Sequence, residues 1–163
     1  MAILAQPPVL SSSAMASAPP VTPVDLTEFA EIVDNARTDG ERGLGTGLVA
    51  TAKDGQPDVA LKGSLMVWDA DHLAWWERGR AETEAGVRAN PLVAVLVRNV
   101  TRDRRMLRFY GQARVVDDAD TRERIWERVS QVEKDSDPEK NGVAVLVRVD
   151  RVRAGKFDIQ LRT

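Results

Sequence analysis

The sequence predicts a mainly β fold with flanking helices (α+β), in which six or seven antiparallel strands close into a small barrel. Two observations support this prediction. Most apolar segments are short, rich in valine and leucine, and separated by turn residues, whereas helical spacing occurs in only three places. Short turns join most of the strand segments, which favours antiparallel pairing over a doubly wound parallel sheet. The length of 163 residues fits one such domain.

The first 23 residues are expected to form a flexible arm ahead of a domain that spans residues 24–163. The segment from Met1 to Pro23 is rich in Ala, Ser and Pro and contains no Lys or Arg. A secretory signal needs a basic start and an unbroken apolar run, and Pro7 and Pro8 interrupt that run. The sequence has no stretch of about 20 apolar residues. We therefore expect a cytoplasmic protein without a membrane partner.

Helical spacing of apolar residues predicts three helices. Asp25 with Glu28, and Asp120 with Glu123, have the spacing of capping boxes and mark the first and third starts. Asn90-Pro91 ends the second helix because the residue before proline avoids the helical conformation. The predicted helices run over residues 25–39, over 81–89 and from 120 onward.

Seven apolar segments are predicted as strands. Asp54-Gly55 is a strong tight-turn pair and joins the first two strands in a hairpin. The uninterrupted apolar run Leu92–Val97 is typical of a strand buried on both faces. Gly111 predicts a bulge within its strand. The predicted strands cover residues 48–52, 59–68, 72–76, 92–97, 106–116, 142–152 and 157–161.

Composition excludes several kinds of site. The chain has no cysteine and one histidine, His72, so no thiolate metal site, cysteine nucleophile or His-rich metal centre is expected. Lys plus Arg number 23 against 25 Asp plus Glu, which argues against a dedicated nucleic-acid binder. The arginines between Arg98 and Arg108 could meet an anionic ligand, but charged residues at a hairpin turn also keep sheet edges soluble. An enzyme of this composition would depend on a bound cofactor for its reactive atom.

The segment from Ala50 to Asn99 contains the most informative motifs. An Asp-Gly-x-Pro hairpin is followed by a strand bearing Lys62-Gly63-Ser64, a helix ending at Asn90-Pro91, and an apolar strand. Gly-x-Ala-Arg-Val at residues 111–115 and Asp-Arg-Val at 150–152 come later. This order resembles the pyridoxamine 5′-phosphate oxidase-like family of split β-barrels that bind flavin mononucleotide. The resemblance covers about residues 25–155.

The resemblance implies a homodimer with flavin mononucleotide in two clefts between the subunits. In the family, basic and hydroxyl residues hold the flavin phosphate, which suits charge-assisted donors beside a helix start. Trp75 and Trp76 point to opposite faces of a strand, so one is expected in the core, while the other flanks the flavin ring or seals the interface. The cofactor-binding residues implied in this way are Lys62, Ser64, Arg78, Arg80, Thr83 and Trp76.

The chain also departs from the family pattern. Glu82 and Glu84 oppose a phosphate unless they point away or pair with Arg80 and Arg88. Residues 156–163 have no match to the substrate residues of true pyridoxamine phosphate oxidases, so vitamin B6 oxidation is not implied. The expected function is a flavin-dependent oxidoreductase acting on a small molecule. Two alternatives stay open: a non-catalytic flavin-sequestering protein, and a reductase that uses the deazaflavin F420, whose acidic tail would meet the arginine cluster.

Overall fold

The computed structural model describes residues 17–40, 45–79 and 82–163, and statements about structure refer to these residues. Nine strands dominate this part of the chain. They are β1 (Thr22–Pro23), β2 (Gly45–Lys53), β3 (Gln56–Leu61), β4 (Met66–Val67), β5 (His72–Glu77), β6 (Leu92–Asn99), β7 (Asp103–Val115), β8 (Val143–Ala154) and β9 (Phe157–Leu161). The helices are α1 (Ala30–Val33), α2 (Ala36–Gly40), α3 (Glu82–Ala89), α4 (Ala119–Arg128) and α5 (Gln131–Asp135).

The strands form one open sheet in the order β1-β9-β8-β7-β6-β2-β3. The first half of β8 pairs with β5 and its second half with β9, and β4 pairs with β5. Every pairing is antiparallel except that of β1 with β9, which places Thr22–Pro23 of the expected arm at a sheet edge. The mainly β class with flanking helices is confirmed. The six or seven strands expected to close into a barrel are instead nine strands in an open sheet.

A break in one predicted strand accounts for one of the two strands beyond the seven that the sequence predicts. The segment expected to run from residue 59 to 68 divides at Lys62–Leu65 into β3 and β4. β4 leaves β3 and pairs with β5, at Met66 with Ala74 and at Val67 with Leu73. β3 therefore stays at the sheet edge, with β2 as its partner among the described strands.

Several local signals act as predicted and two do not. Asp54 and Gly55 have φ values of 50° and 80°, the left-handed pair of a hairpin turn. The pairing of β7 with β8 shifts register at Gly111, which confirms the bulge. The predicted first helix is divided into a 3₁₀ turn at Leu26–Phe29, α1 and α2. The cap of α4 is Asp118 rather than Asp120, because the Asp118 carboxylate accepts from the Thr121 amide at 2.8 Å.

The core has two parts, one on each side of β5. Trp75 belongs to a cluster with Phe29, Val95 and Phe109, between the inner face of the sheet and the N-terminal helices. Trp76 belongs to a cluster on the other side, which α4 and β8 complete. The opposite orientation of the two tryptophans is confirmed. Both indoles are buried, however, which leaves neither on the surface of this chain.

An outward apolar face covers the β3–β2–β6 part of the sheet. The alternating burial along β6 shows that only one face of this strand is fully buried, contrary to the expectation for Leu92–Val97. Strand register aligns Leu61, Leu48 and Leu96 in one row and Val59, Ala50 and Ala94 in the next. Val59 is 61% exposed and Leu61 is 72% exposed.

Among the described residues, none of the helices combines the length and the hydropathy of a transmembrane span.

Candidate functional site

A cavity of about 440 Å³ lies where α2, the start of β2, the end of β3 and α5 meet. Its wall includes three basic residues, Arg37, Lys62 and Arg78, and one acidic residue, Glu133. We call this space the cationic cavity. It brings together two of the residues that the sequence implied as cofactor ligands, Lys62 and Arg78.

The Lys62-Gly63-Ser64 segment forms one side of the cavity because the chain turns between β3 and β4 there. The Lys62 amide donates to the Gly47 carbonyl at 3.1 Å, which holds the turn against β2. A Cβ atom at position 63 would overlap the side chains of Glu133 and Arg37. Glycine at position 63 therefore lets the ends of the Glu133 and Arg37 side chains approach the backbone closely.

Lys62 forms a buried ion pair with Glu77. Its Nζ lies 2.5 Å from Glu77 Oε2, and the two side chains are each 7% exposed. The ammonium also donates to Thr83 Oγ1 at 3.1 Å, so the structure brings Lys62 and Thr83 into contact. Glu77 Oε2 accepts a second bond, from Trp75 Nε1 at 3.1 Å. These contacts satisfy charges that would be costly to bury alone.

Glu133 holds two arginines at the same cavity. Arg78 Nε lies 3.0 Å from Glu133 Oε2, and Arg37 pairs with the other carboxylate oxygen. The Glu133 side chain is 4% exposed, whereas those of Arg37 and Arg78 are 29% and 43% exposed. The sequence did not identify Arg37 or Glu133, because they are 96 residues apart and no local motif connects them.

Ser64 and Trp76 have structural partners. The Ser64 hydroxyl donates to the Trp76 carbonyl at 3.1 Å and accepts from the Trp76 amide at 2.9 Å. The Trp76 indole donates to Asp137 Oδ2 at 2.8 Å, and its ring centroid lies 4.7 Å from that of Trp126. Their role toward a cofactor stays a prediction. Arg80, the remaining implied ligand, lies outside the described residues.

The Asp137 carboxyl is ionised more easily than an ordinary aspartate. Burial alone would raise its pKa, but bonds from the Trp76 indole and from the amides of Gly142 and Asn141, with the Arg122 charge, outweigh burial. Its pKa is therefore lowered from 3.8. The result is an anion that fixes Trp76 and the start of the chain segment leading into β8.

The acidic residues of α3 do not line the cationic cavity. Glu84 pairs with Arg88 at 2.9 Å, one of the pairings that the sequence left open. Glu82 lines a different cavity beside the β2–β3 turn, together with Asp54 and Asp58. Neither carboxylate is thus part of the space formed by Arg37, Lys62 and Arg78.

Much of the arginine cluster is engaged within the chain. Arg102 pairs with Glu31 and Asp39, and Arg105 pairs with Asp103. Arg108 donates to the Gly155 carbonyl. These contacts favour a role in fastening the β6–β7 turn and its surroundings over recognition of an anionic ligand.

The fold is thus an open, mainly antiparallel sheet with flanking helices and a cationic cavity at a strand break. A family model for pyridoxamine 5′-phosphate oxidase matches residues 36–155, which is more than half of the chain. The chain belongs to the pyridoxamine 5′-phosphate oxidase family. A comparison with curated proteins finds no match.

Solved structures share the fold at low sequence identity. HupZ of Group A Streptococcus has a TM-score of 0.62 at 16% identity, covering 82% of this chain and 95% of its own. An FMN-binding protein from Syntrophomonas wolfei has a TM-score of 0.55 at 14% identity, covering 80% and 88%. A FAD-binding protein from Mesorhizobium loti has a TM-score of 0.52 at 23% identity, covering 66% and 82%. At these identities the similarity establishes the fold.

Proposed function

We propose that this protein binds flavin mononucleotide, with the flavin phosphate in the cationic cavity, and acts as an oxidoreductase on a small molecule. The observation that supports this most strongly is the convergence of Arg37, Lys62 and Arg78 on one cavity. Two proteins with the same fold are a FMN-binding and a FAD-binding protein. Family membership and the cationic donor set support the same cofactor class.

The side chains at the cavity suit a phosphate group. The guanidinium groups of Arg37 and Arg78 offer forked donors and are partly exposed, so a ligand can reach them. Lys62 lines the same cavity, and Glu77 and Thr83 accept from two of its three ammonium donors. This set fits a phosphate monoester better than an uncharged group.

When bound, the flavin would supply hydride or electron transfer through its ring. The chain's own residues would anchor the phosphate, position the ring and shape the space that a substrate enters. This division of labour agrees with the composition, since the chain has no cysteine and a single histidine. His72 contacts Asp69 at 2.8 Å and is not among the residues of the cavity wall.

We further propose that a second copy of the chain covers the outward apolar face. Leu48, Val59, Leu61 and Leu96 present apolar groups there without a covering helix among the described elements. Leu61 belongs both to this face and to the wall of the cationic cavity. A partner seated on the face would therefore border the cavity, and a two-fold axis would create two equivalent sites.

Titration with flavin mononucleotide and with riboflavin tests the proposed function. Quenching of flavin fluorescence should show binding of the mononucleotide at least about tenfold tighter than riboflavin, because only the former has a phosphate for the cavity. Equal affinity for the two flavins, or binding of neither, would overturn the assignment. A bound flavin should then be reduced by a nicotinamide nucleotide if the protein is an oxidoreductase.

A further inference from the structure

We propose that Glu133 is an internal competitor for the ligand phosphate: its carboxylate occupies the anion position between Arg37 and Arg78. Binding of a phosphate would then exchange one anion for another, and Glu133 would set the phosphate affinity of the cavity. This inference rests on the proposed function, since it assumes that the cationic cavity is the phosphate site.

The geometry of the cluster supports this role. Glu133 is on α5 and reaches across the cavity wall, so that each of its carboxylate oxygens has an arginine partner. The carboxylate is almost fully buried, while both guanidinium groups extend toward solvent. A forked arrangement of two arginines around one carboxylate is also a suitable arrangement for a phosphate group. Glycine at position 63 gives the space in which these groups meet.

The charges around the cavity point in the same direction. Arg37, Lys62 and Arg78 contribute three positive charges, and Glu77 and Glu133 contribute two negative charges. The net charge of these five side chains is +1, obtained as three minus two. A phosphate monoester carries about −1.5 to −2 at neutral pH, so the Glu133 charge opposes its entry. Neutralising Glu133 would raise the net charge of the set to +2.

The charge of Glu133 should affect the affinity for a phosphate-bearing ligand and not the affinity for riboflavin. Two like charges a few ångströms apart near a protein surface repel enough to change an affinity about tenfold or more. Riboflavin has no phosphate, so its affinity should not respond to the charge at position 133. If Glu133 had only a structural role, its replacement would lower the stability of the fold and leave the preference for the phosphate-bearing flavin unchanged.

The test compares Glu133→Gln with the unchanged chain and with Glu123→Gln as a control. Glutamine preserves the shape of Glu133 and removes its charge, and the partly exposed arginines can be solvated. Glu123 pairs with Lys140 on the surface and is outside the cavity wall. Flavin mononucleotide should bind Glu133→Gln about tenfold or more tightly than the unchanged chain, with riboflavin affinity unaltered. Inorganic phosphate should raise the melting temperature of Glu133→Gln more than that of the other two proteins.

Unchanged or weaker binding of flavin mononucleotide by Glu133→Gln would overturn the inference, and a phosphate preference in the unchanged chain would leave the proposed function intact. Failure of both proteins to bind flavin mononucleotide or inorganic phosphate would overturn both.

If Glu133→Gln does not fold, NMR spectroscopy of the unchanged chain tests the exchange of anions. Saturation with flavin mononucleotide must shift the side-chain signals of Arg37 and Arg78, because their anionic partner changes from Glu133 to the phosphate. Unshifted signals would overturn the inference.

Discussion

Lys62 Nζ and Glu77 Oε2 lie 2.5 Å apart in a buried ion pair that ties the end of β3 to the end of β5. The same Glu77 oxygen accepts from the Trp75 indole, and the same ammonium donates to Thr83 on α3. One ion pair thus connects the break in the sheet, the core tryptophan and the helix beside the cavity. Lys62 contributes to folding as well as to the proposed phosphate site.

Replacing Lys62 with alanine should destabilise the protein by about 3–5 kcal/mol, because Glu77 would be left as a buried charge without its cation. The double variant Lys62→Met with Glu77→Gln should recover part of that loss, since neither side chain is then charged. Chemical unfolding of the three proteins gives the comparison. Equal stability of Lys62→Ala and the unchanged chain would show that the pair is not buried in solution.

Substitution of Gly63 by alanine should disturb the cationic cavity. The added Cβ would overlap the ends of the Glu133 and Arg37 side chains, so this ion pair must shift and we expect a lower melting temperature. Gly79→Ala is a matched control, because a Cβ there meets Glu77 at 3.6 Å, an ordinary contact. A similar melting temperature for both variants would contradict the close approach at Gly63.

The sequence predicts the parts of this fold that depend on local chemistry. Asp54-Gly55 and Gly111 were recognised because a left-handed turn and a bulge each demand particular residues. The sequence does not predict the division of the strand at Lys62–Leu65, because pairing with β5 is a tertiary contact and it alone separates β4 from β3. Lys62 and Thr83, 21 residues apart, are implied together only by the resemblance to the family.

The remaining site residues depend on distant contacts. Arg37 and Glu133 meet only because α2 and α5 pack at the same cavity, and neither belongs to a recognisable motif. The burial of both Trp75 and Trp76 likewise follows from α4 and β8 covering the second face of β5. The alternation of residues along β5 gives their opposite directions but not what covers them.

Asp137 should make the stability of the protein depend on acid pH. Its pKa is lowered in the folded state, so its contribution is present above the unfolded pKa of about 3.9 and is lost as pH falls through the folded value. Asp137→Asn should therefore cost about 1–3 kcal/mol at pH 7 and progressively less below about pH 4. Asp135→Asn, at an exposed position on α5, is the control. A loss for Asp137→Asn that does not depend on pH would contradict the bonding around this carboxylate.

The outward apolar face gives a prediction about assembly. A charge placed at Val59 should weaken the proposed homodimer, because the partner copy would have to bury it. Val59→Glu is therefore expected to shift the mass measured by light scattering toward that of one chain. Val132→Glu introduces the same charge at an exposed position on α5, outside this face, and should not change the mass. A monomeric unchanged chain that binds flavin would contradict the shared arrangement.

The ratio of riboflavin to flavin mononucleotide dissociation constants, measured in the unchanged chain and in Arg78→Ala, tests the central claim most directly. If Arg78 holds the flavin phosphate, its loss should weaken binding of flavin mononucleotide by roughly 10- to 150-fold and leave riboflavin almost unaffected, so that the ratio falls toward one. Because the Arg78 side chain is 43% exposed, its truncation should leave the fold intact. A ratio that is the same in both proteins would contradict a phosphate site in the cationic cavity.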